Sequence, residues 1–269
     1  MVAFPNSKIN IGLHITGKRE DGYHNLVSCM YPVNLCDALE INVSAFETNL
    51  VNSGFYLNEK TSENLCIKAY NILKNDFPEI LPVNIHLHKA IPFGAGLGGG
   101  SSDAAHMLKL LNKKFSLGLS EYQLLIYAAK IGSDCSFFIQ NKPAIIKGKG
   151  NVLEPAKINL QGYKILLVKP AIHINTKKAF SRVSVNIRPE ELEKSLLKPV
   201  EEWRDCISND FEKYIFIDHP ELEELKYLLY RYGASYASMT GSGSTIYGIF
   251  KEHIKVQNNF ARYFSCWVK

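Results

Sequence analysis

Between Ile91 and Ala105 the chain reads Ile-Pro-Phe-Gly-Ala-Gly-Leu-Gly-Gly-Gly-Ser-Ser-Asp-Ala-Ala, with glycine at 94, 96, 98, 99 and 100. Residues without a Cβ accept positive φ and let backbone N–H groups come close to a ligand. Ala104, Leu108 and Leu111 then recur at helical spacing, while upstream Val83-Asn-Ile-His-Leu-His-Lys89 alternates as a half-buried strand does. Strand, glycine loop and helix N-terminus therefore follow one another. The free N–H groups and the dipole at such a helix start suit a phosphate.

Three patterns compete for this loop. A P-loop requires a lysine after the glycines, and none follows here. The dinucleotide pattern G-x-G-x-x-G matches at Gly94, Gly96 and Gly99, but the acid it needs about 20 residues on falls near Glu121. That residue instead opens a helical run, Ser120–Lys130. Against a glycine-rich turn with no ligand, phosphate binding is the expectation, because a helix entry rarely needs so many glycines.

Other stretches leave alternatives open. Lys8-Ile-Asn-Ile-Gly-Leu-His-Ile15 alternates, with Ile9, Ile11, Leu13 and Ile15 toward a core. Lys8, Asn10, Gly12 and His14 share the other face, which is either solvated or functional. Thr16–Asn25 is a polar loop carrying Tyr23-His24, a pair that either covers a neighbouring segment or offers an aromatic face to a planar ligand. A helix is expected from Thr61/Ser62 to near Pro78, with Leu65, Ala69, Ile72 and Leu73 inward. In Gly132-Ser-Asp-Cys-Ser-Phe-Phe138, Asp134 is either a helix cap or the carboxylate that takes an alcohol's proton during phosphoryl transfer.

Beyond Lys147–Asn151, a turn, and Ala156–Gly162, a boundary, a strand is expected over Tyr163–Val168. Helices are expected around Thr176–Val183, Pro189–Leu197, Asn209–Tyr214 and Glu221–Tyr232. Tyr236–Phe250 reads as strand, Gly-Ser turn, strand, either a plain hairpin or a further phosphate contact.

Length and composition limit the function classes. A chain of 269 residues with 46% apolar and 21% charged residues is an ordinary globular protein with a substantial core. A net charge of +5 from scattered basic residues does not imply nucleic-acid binding and suits an anionic substrate. No apolar run has membrane-spanning length and Met1–Lys8 lacks a signal-peptide layout, so a cytoplasmic address is expected. The six cysteines show no C-x-x-C and no His/Cys cluster, and read as reduced, mostly buried thiols with no zinc site.

In their order and spacing, Lys8–Leu13, Asp21-Gly-Tyr-His-Asn-Leu26, Ile91–Ala105, Gly132–Phe138 and Met239–Thr245 resemble the GHMP kinase superfamily across nearly the whole chain. The Gly-Leu-Gly-Gly-Gly-Ser-Ser-Asp-Ala-Ala run and Asp-Gly-Tyr-His resemble the branch that phosphorylates a cytidine diphosphate-linked methylerythritol in the non-mevalonate isoprenoid route. Cys135-Ser136 departs from the Val-Pro common in that branch, and Arg182–Arg204 is less similar and receives no roles.

The resemblance implies an α+β, two-domain fold with the active site between the domains. Residues 1–157 would form a ribosomal-protein-S5-like N-terminal domain, and residues 158–269 a ferredoxin-like C-terminal one. It implies ATP held by Pro92, Gly94, Gly96, Leu97, Gly98, Gly99, Gly100, Ser101 and Ser102, with Glu63, Asn64 and Leu65 near adenine and Ser101 or Ser102 near Mg²⁺. Asp134 would take the proton of the substrate's 2-hydroxyl, with Lys8 beside it keeping the carboxylate ionised. Asn10 would orient the substrate, Tyr23, His24 and Phe180 would grip cytosine, and Thr176, Gly241 and Ser242 would complete the acceptor site. The implied partner is that small molecule alone, with no nucleic acid or membrane, in a monomer or weak homodimer.

Overall fold

The computed structural model describes residues 1–55, 61–185, 189–254 and 260–268. Its strands and helices are mixed along the chain, an α+β arrangement. In chain order they begin β1 (Val2–Ala3), β2 (Asn6–Lys18), β3 (His24–Cys36), β4 (Ala38–Val43), β5 (Asn49–Gly54), α1 (Leu65–Asp76), β6 (Val83–Lys89) and α2 (Gly99–Lys114). Then come α3 (Glu121–Ile131), α4 (Cys135–Gln140), β7 (Ala144–Lys147), β8 (Val152–Pro155), β9 (Lys164–Lys169), α5 (Thr176–Arg182) and α6 (Pro189–Leu196). The chain closes with α7 (Trp203–Cys206), α8 (Glu212–Asp218), α9 (Pro220–Arg231), β10 (Tyr236–Met239), β11 (Ile246–Phe250) and β12 (Phe264–Val268).

The contacts divide into two compact units. The first comprises Met1–Ser7, Leu35–Phe93 and Gly98–Lys142, and the second Lys8–Asn34, Gly94–Leu97 and Pro143–Lys269. In the first unit a sheet of order β1-β4-β6-β5 pairs β4 with β6 antiparallel and β5 with β6 parallel. Strand β6 alternates strictly, with Val83, Ile85, Leu87 and Lys89 buried and Asn84, His86 and His88 exposed, as its sequence predicts. Beside the sheet, α1 buries Cys66, Ala69, Tyr70 and Leu73, and α2 buries Ala104, Ala105, Met107, Leu108 and Leu111. Leu73, Met107, Leu108 and Leu111 each contribute about 1.5–3 kcal/mol by leaving water, and the alanines less.

Helix starts follow their capping chemistry. Ser120 and Gln123 form a reciprocal capping box at α3. The helix expected from Thr61 instead opens as a 3₁₀ turn over Thr61–Glu63 and becomes α-helical only at Leu65. The Asn64 side chain fixes that start by accepting the Cys66 N–H at 2.9 Å.

In the second unit β2-β3-β7-β8 form one sheet and β10-β11-β9-β12 another. The polar face expected on Lys8–Ile15 is not solvated: Lys8, Asn10 and His14 are buried with Ile9, Ile11, Leu13 and Ile15. Thr16–Asn25 is a hairpin more than a loop. β2 runs to Lys18 and β3 resumes at His24, with the turn closed by Arg19 N–H to the Tyr23 carbonyl at 2.8 Å. Asn209–Phe211, expected to be helical, precede α8, because the Asn209 side chain is committed to other backbone groups. Within Arg182–Arg204, residues 186–188 lie outside the described residues.

None of the six cysteines forms a disulfide among the described residues; Cys29, Cys66 and Cys135 are buried and the others half-buried. No helix among the described residues is long and apolar enough to cross a membrane.

Candidate active site

In the first unit Gly98, the residue before α2, adopts a left-handed conformation (φ 72°, ψ 16°) and supplies no side-chain cap. The first intrahelical bond joins Ser102 N–H to the Gly98 carbonyl at 2.9 Å. The helix thus provides no acceptor for the N–H groups of Gly99, Gly100 and Ser101. Those donors, with the dipole behind them, are what an anion cradle requires. A Cβ on Gly99 would lie 3.0 Å from Ile91, so the glycine there lets the helix start pack close to the chain entering from β6. Pro92 is buried in that entering stretch. Ser101 is half-buried and Ser102 fully so, and Leu65 packs 3.7 Å from where a Gly100 Cβ would stand. Glu63, Asn64 and Leu65 therefore lie beside the cradle's edge, with Asn64 occupied as a cap.

A buried trio braces this cradle. Lys89, on the inward face of β6, pairs with Asp37 and with Asp103 of α2, the latter at 2.6 Å. Asp37 also accepts the Ala90 and Ile91 N–H groups at 2.7 and 2.8 Å, fixing the chain as it leaves β6. Burial, reinforced by Asp37 and opposed by Lys89, raises the Asp103 carboxyl well above the usual carboxylate range.

Asp134 sits at the N-terminus of α4 without a capping bond from its side chain. The capping role thus loses its support, and the half-buried carboxylate belongs to a turn packed on α2. Cys135 N–H donates to the Gly132 carbonyl at 3.1 Å within that turn, and Lys109 donates to the Phe138 carbonyl at 2.8 Å. Burial pushes the Cys135 thiol up to about 12, leaving it protonated and inert beside Asp134.

In the second unit Lys8 donates to Asn10 Oδ1 at 2.5 Å and to the Gly96 carbonyl at 2.9 Å. Its own N–H bonds the Leu97 carbonyl at 3.0 Å. Asn10 donates through Nδ2 to Ser28 Oγ at 2.9 Å, and its backbone N–H reaches Thr240 Oγ1 at 3.0 Å. Thr240 in turn donates to the Gly96 carbonyl at 3.1 Å. Gly96 has φ +76°, and a Cβ there would stand 2.2 Å from the Thr240 carbonyl, so only glycine fits. Gly94 likewise has positive φ. Lys8, Asn10, Gly94–Leu97 and the Gly-Ser turn are thereby brought into one hydrogen-bonded cluster.

A second cluster in this unit gathers the aromatic residues. The His24 ring stacks on Phe180, with centroids 5.4 Å apart and planes 27° apart. Tyr23 stands exposed at the hairpin tip with the Lys149 ammonium 5.5 Å from its ring centre. Burial, then the nearby Lys18 charge, holds the His24 imidazole below its ordinary range and so neutral. Thr176, opening α5, shares a hydrogen bond with Ser242 at 3.0 Å. Gly241, next to Ser242, has φ +57°.

Two family models match the chain, GHMP kinases N terminal domain over residues 64–148 and GHMP kinases C terminal over residues 190–266. The 4-diphosphocytidyl-2-C-methyl-D-erythritol kinase of Bacteroides fragilis is 48% identical over 259 residues, covering 95% of this chain and 94% of its own. Its namesake in Bacteroides thetaiotaomicron is 49% identical over 254 residues, covering 93% and 92%.

The chain belongs to the GHMP kinase family.

A crystal structure titled 4-(cytidine 5'-diphospho)-2C-methyl-D-erythritol kinase superposes on this GHMP kinase with a TM-score of 0.82 at 27% identity, covering 100% of this chain and 99% of that one. Phosphoryl transfer from ATP is the chemistry of such a kinase, and the uncapped start of α2 fits a polyphosphate. Sequence reasoning missed Asp37, Lys89, Asp103 and Ser28 as site supports. Their partners lie between 14 and 54 positions away for the trio and 18 for Ser28, and no local pattern announces such pairs. The one signal present was a lysine on the apolar face of β6.

Proposed function

We propose that this GHMP kinase transfers the γ-phosphoryl group of ATP to the 2-hydroxyl of 4-diphosphocytidyl-2-C-methyl-D-erythritol. The products are the 2-phosphate and ADP, a step of the cytoplasmic non-mevalonate route to isoprenoid precursors. The observation that carries the acceptor is the near end-to-end identity with kinases of that name, at 48–49%. The stack of His24 on Phe180, beside exposed Tyr23, agrees with a planar base at that end.

In this reading Gly98–Ser102 receive the phosphates on the α2 N-terminus, with Pro92, Gly94, Gly96 and Leu97 shaping the loop and Glu63, Asn64 and Leu65 at the adenine. Ser101 and Ser102 are the first-turn hydroxyls that would hold Mg²⁺, whose charge neutralises phosphate oxygens. Asp134 takes the proton of the acceptor alcohol. Lys8, fixed by Asn10 and Gly96, offsets negative charge that develops during transfer. Asn10, Thr176, Gly241 and Ser242 orient the acceptor, and Tyr23, His24 and Phe180 hold its cytosine. Residues 1–157 and 158–269 are the two kinase domains in chain order, and the enzyme works as a monomer or weak homodimer.

ADP release with Mg-ATP and the cytidyl alcohol, beside homoserine, mevalonate and galactose, tests the assignment. Turnover confined to the cytidyl alcohol is expected. Turnover on another alcohol instead would keep the kinase and overturn the acceptor.

A further inference from the structure

Asn209-Asp210-Phe211-Glu212 is a run whose side chains tie together several parts of the second unit. Asn209, 3% exposed, donates through Nδ2 to the Met239 and Gly241 carbonyls, both at 2.8 Å, and accepts the Phe211 N–H at 3.0 Å. Asp210 accepts the Ile15 N–H of β2 at 2.8 Å. Phe211, 1% exposed, meets Phe180 edge to face, with centroids 4.9 Å apart and planes at 88°. Glu212 accepts from Met239 N–H at 2.7 Å, Ser238 Oγ at 2.9 Å and Lys226 Nζ at 2.6 Å.

These contacts close a ring. Asn209 pins Gly241, and the adjacent Ser242 bonds Thr176 at the start of α5. One turn along α5, Phe180 carries His24 on its face and leans on Phe211. Asn209 and Phe211, two residues apart on one anchored strand of chain, thus fix opposite ends of the path from the Gly-Ser turn to the aromatic stack.

We propose that Asn209–Glu212 is a spacer that sets the distance between the aromatic stack and the Gly-Ser turn. It would thereby determine which alcohol this kinase accepts: one whose hydroxyl lies a fixed length from a pyrimidine ring. The inference rests on the acceptor reading above. Asn209 and Phe211 act through other residues, and are positioning residues.

The test is a pair of variants with opposite expected signatures. Asn209→Asp keeps the acceptor for Phe211 N–H but sets a carboxylate against two carbonyls. Turnover of the cytidyl alcohol at saturation should fall at least about 30-fold, roughly 2 kcal/mol of barrier, while the Kd of free CDP by calorimetry stays within about threefold. Phe211→Leu removes the edge contact behind Phe180. CDP should bind about tenfold more weakly, with kcat within about threefold of wild type.

If both variants lose binding and turnover together, or Asn209→Asp turns over normally, the spacer is overturned. Should Asn209→Asp fail to fold, Phe211→Leu decides alone, since a loss in kcat with CDP affinity intact contradicts the proposal. Wild-type protein that neither binds CDP nor phosphorylates the cytidyl alcohol would overturn the acceptor reading instead.

Discussion

The ammonium of Lys8 donates to the Gly96 carbonyl at 2.9 Å, so a strand residue is tied directly to the glycine-rich loop. A cation so placed is held by two acceptors, and in the proposed mechanism its charge would need no reorganisation when phosphoryl transfer begins. Lys8→Met should lower kcat by about 10²–10³-fold, read in steady-state assays at saturating ATP. Lys8→Arg should not restore it, because a planar fork cannot reproduce the point contacts to Asn10 Oδ1 and the Gly96 carbonyl. Activity within about threefold of wild type in the methionine variant would remove Lys8 from the chemistry.

Asp134 stands at the start of α4 without capping it. Asp134→Asn should retain affinity for a fluorescent ATP analogue while kcat falls by about 10²–10⁴-fold, the range of a positioned base. Loss of nucleotide binding with turnover per bound complex unchanged would contradict that role.

His24 titrates below its ordinary range because burial, and then Lys18, disfavour the imidazolium. The neutral ring therefore prevails at and above an unperturbed imidazole pKa of about 6.5. KM for the cytidyl alcohol should be flat from alkaline pH down to that region and rise only on further acidification. In His24→Asn the rise attributable to this ring should vanish. A KM that climbs well above neutral pH would mean the shift has the opposite sign.

The Lys89 ammonium is shared by two buried carboxylates. Lys89→Met leaves both without their cation and should cost about 3–5 kcal/mol in urea unfolding. Combining it with Asp37→Asn and Asp103→Asn should recover part of that loss, since the penalty comes from uncompensated charge. A single variant as stable as wild type would show that the trio braces nothing.

Gly96→Ala places a Cβ 2.2 Å from the Thr240 carbonyl at a φ of +76°. Left-handed backbone alone costs about 1–2 kcal/mol, and the clash is with backbone that cannot rotate away. The variant should lose at least about 10²-fold in kcat/KM for ATP. Gly22→Ala, at φ +82° with open space around it, carries the backbone strain without the clash and should lose far less in the same assay.

Legibility in the sequence followed the range of the interactions. Strand β6, the glycine loop, α2, α3 and the β10–β11 hairpin were readable because their signals are local: strict alternation, clustered glycines, a Ser-x-x-Gln cap. Tyr23, His24 and Phe180 were placed by family resemblance, and the His24–Phe180 stack spans 156 positions that no periodicity connects. Strand β5 escaped because Asn49-Leu-Val-Asn-Ser-Gly54 has little alternation, its pairing with β6 being supplied by the neighbour's backbone. Asn209–Phe211 were misread as helix because Asn209 spends its amide on distant carbonyls. The polar face of β2 was left open because alternation reports polarity, and a strand with buried, hydrogen-bonded polar groups has the same pattern as one facing water.

Strand β2 is buried at every residue from Asn6 to Ile15, yet it runs on into an exposed hairpin tip that holds Asp21–Tyr23. A change near Lys8 must survive dense packing on all sides, whereas a change at the tip meets only solvent and a few polar neighbours. On the roles proposed above, substitutions at the tip can change the group recognised while the packed part of the strand stays unaltered.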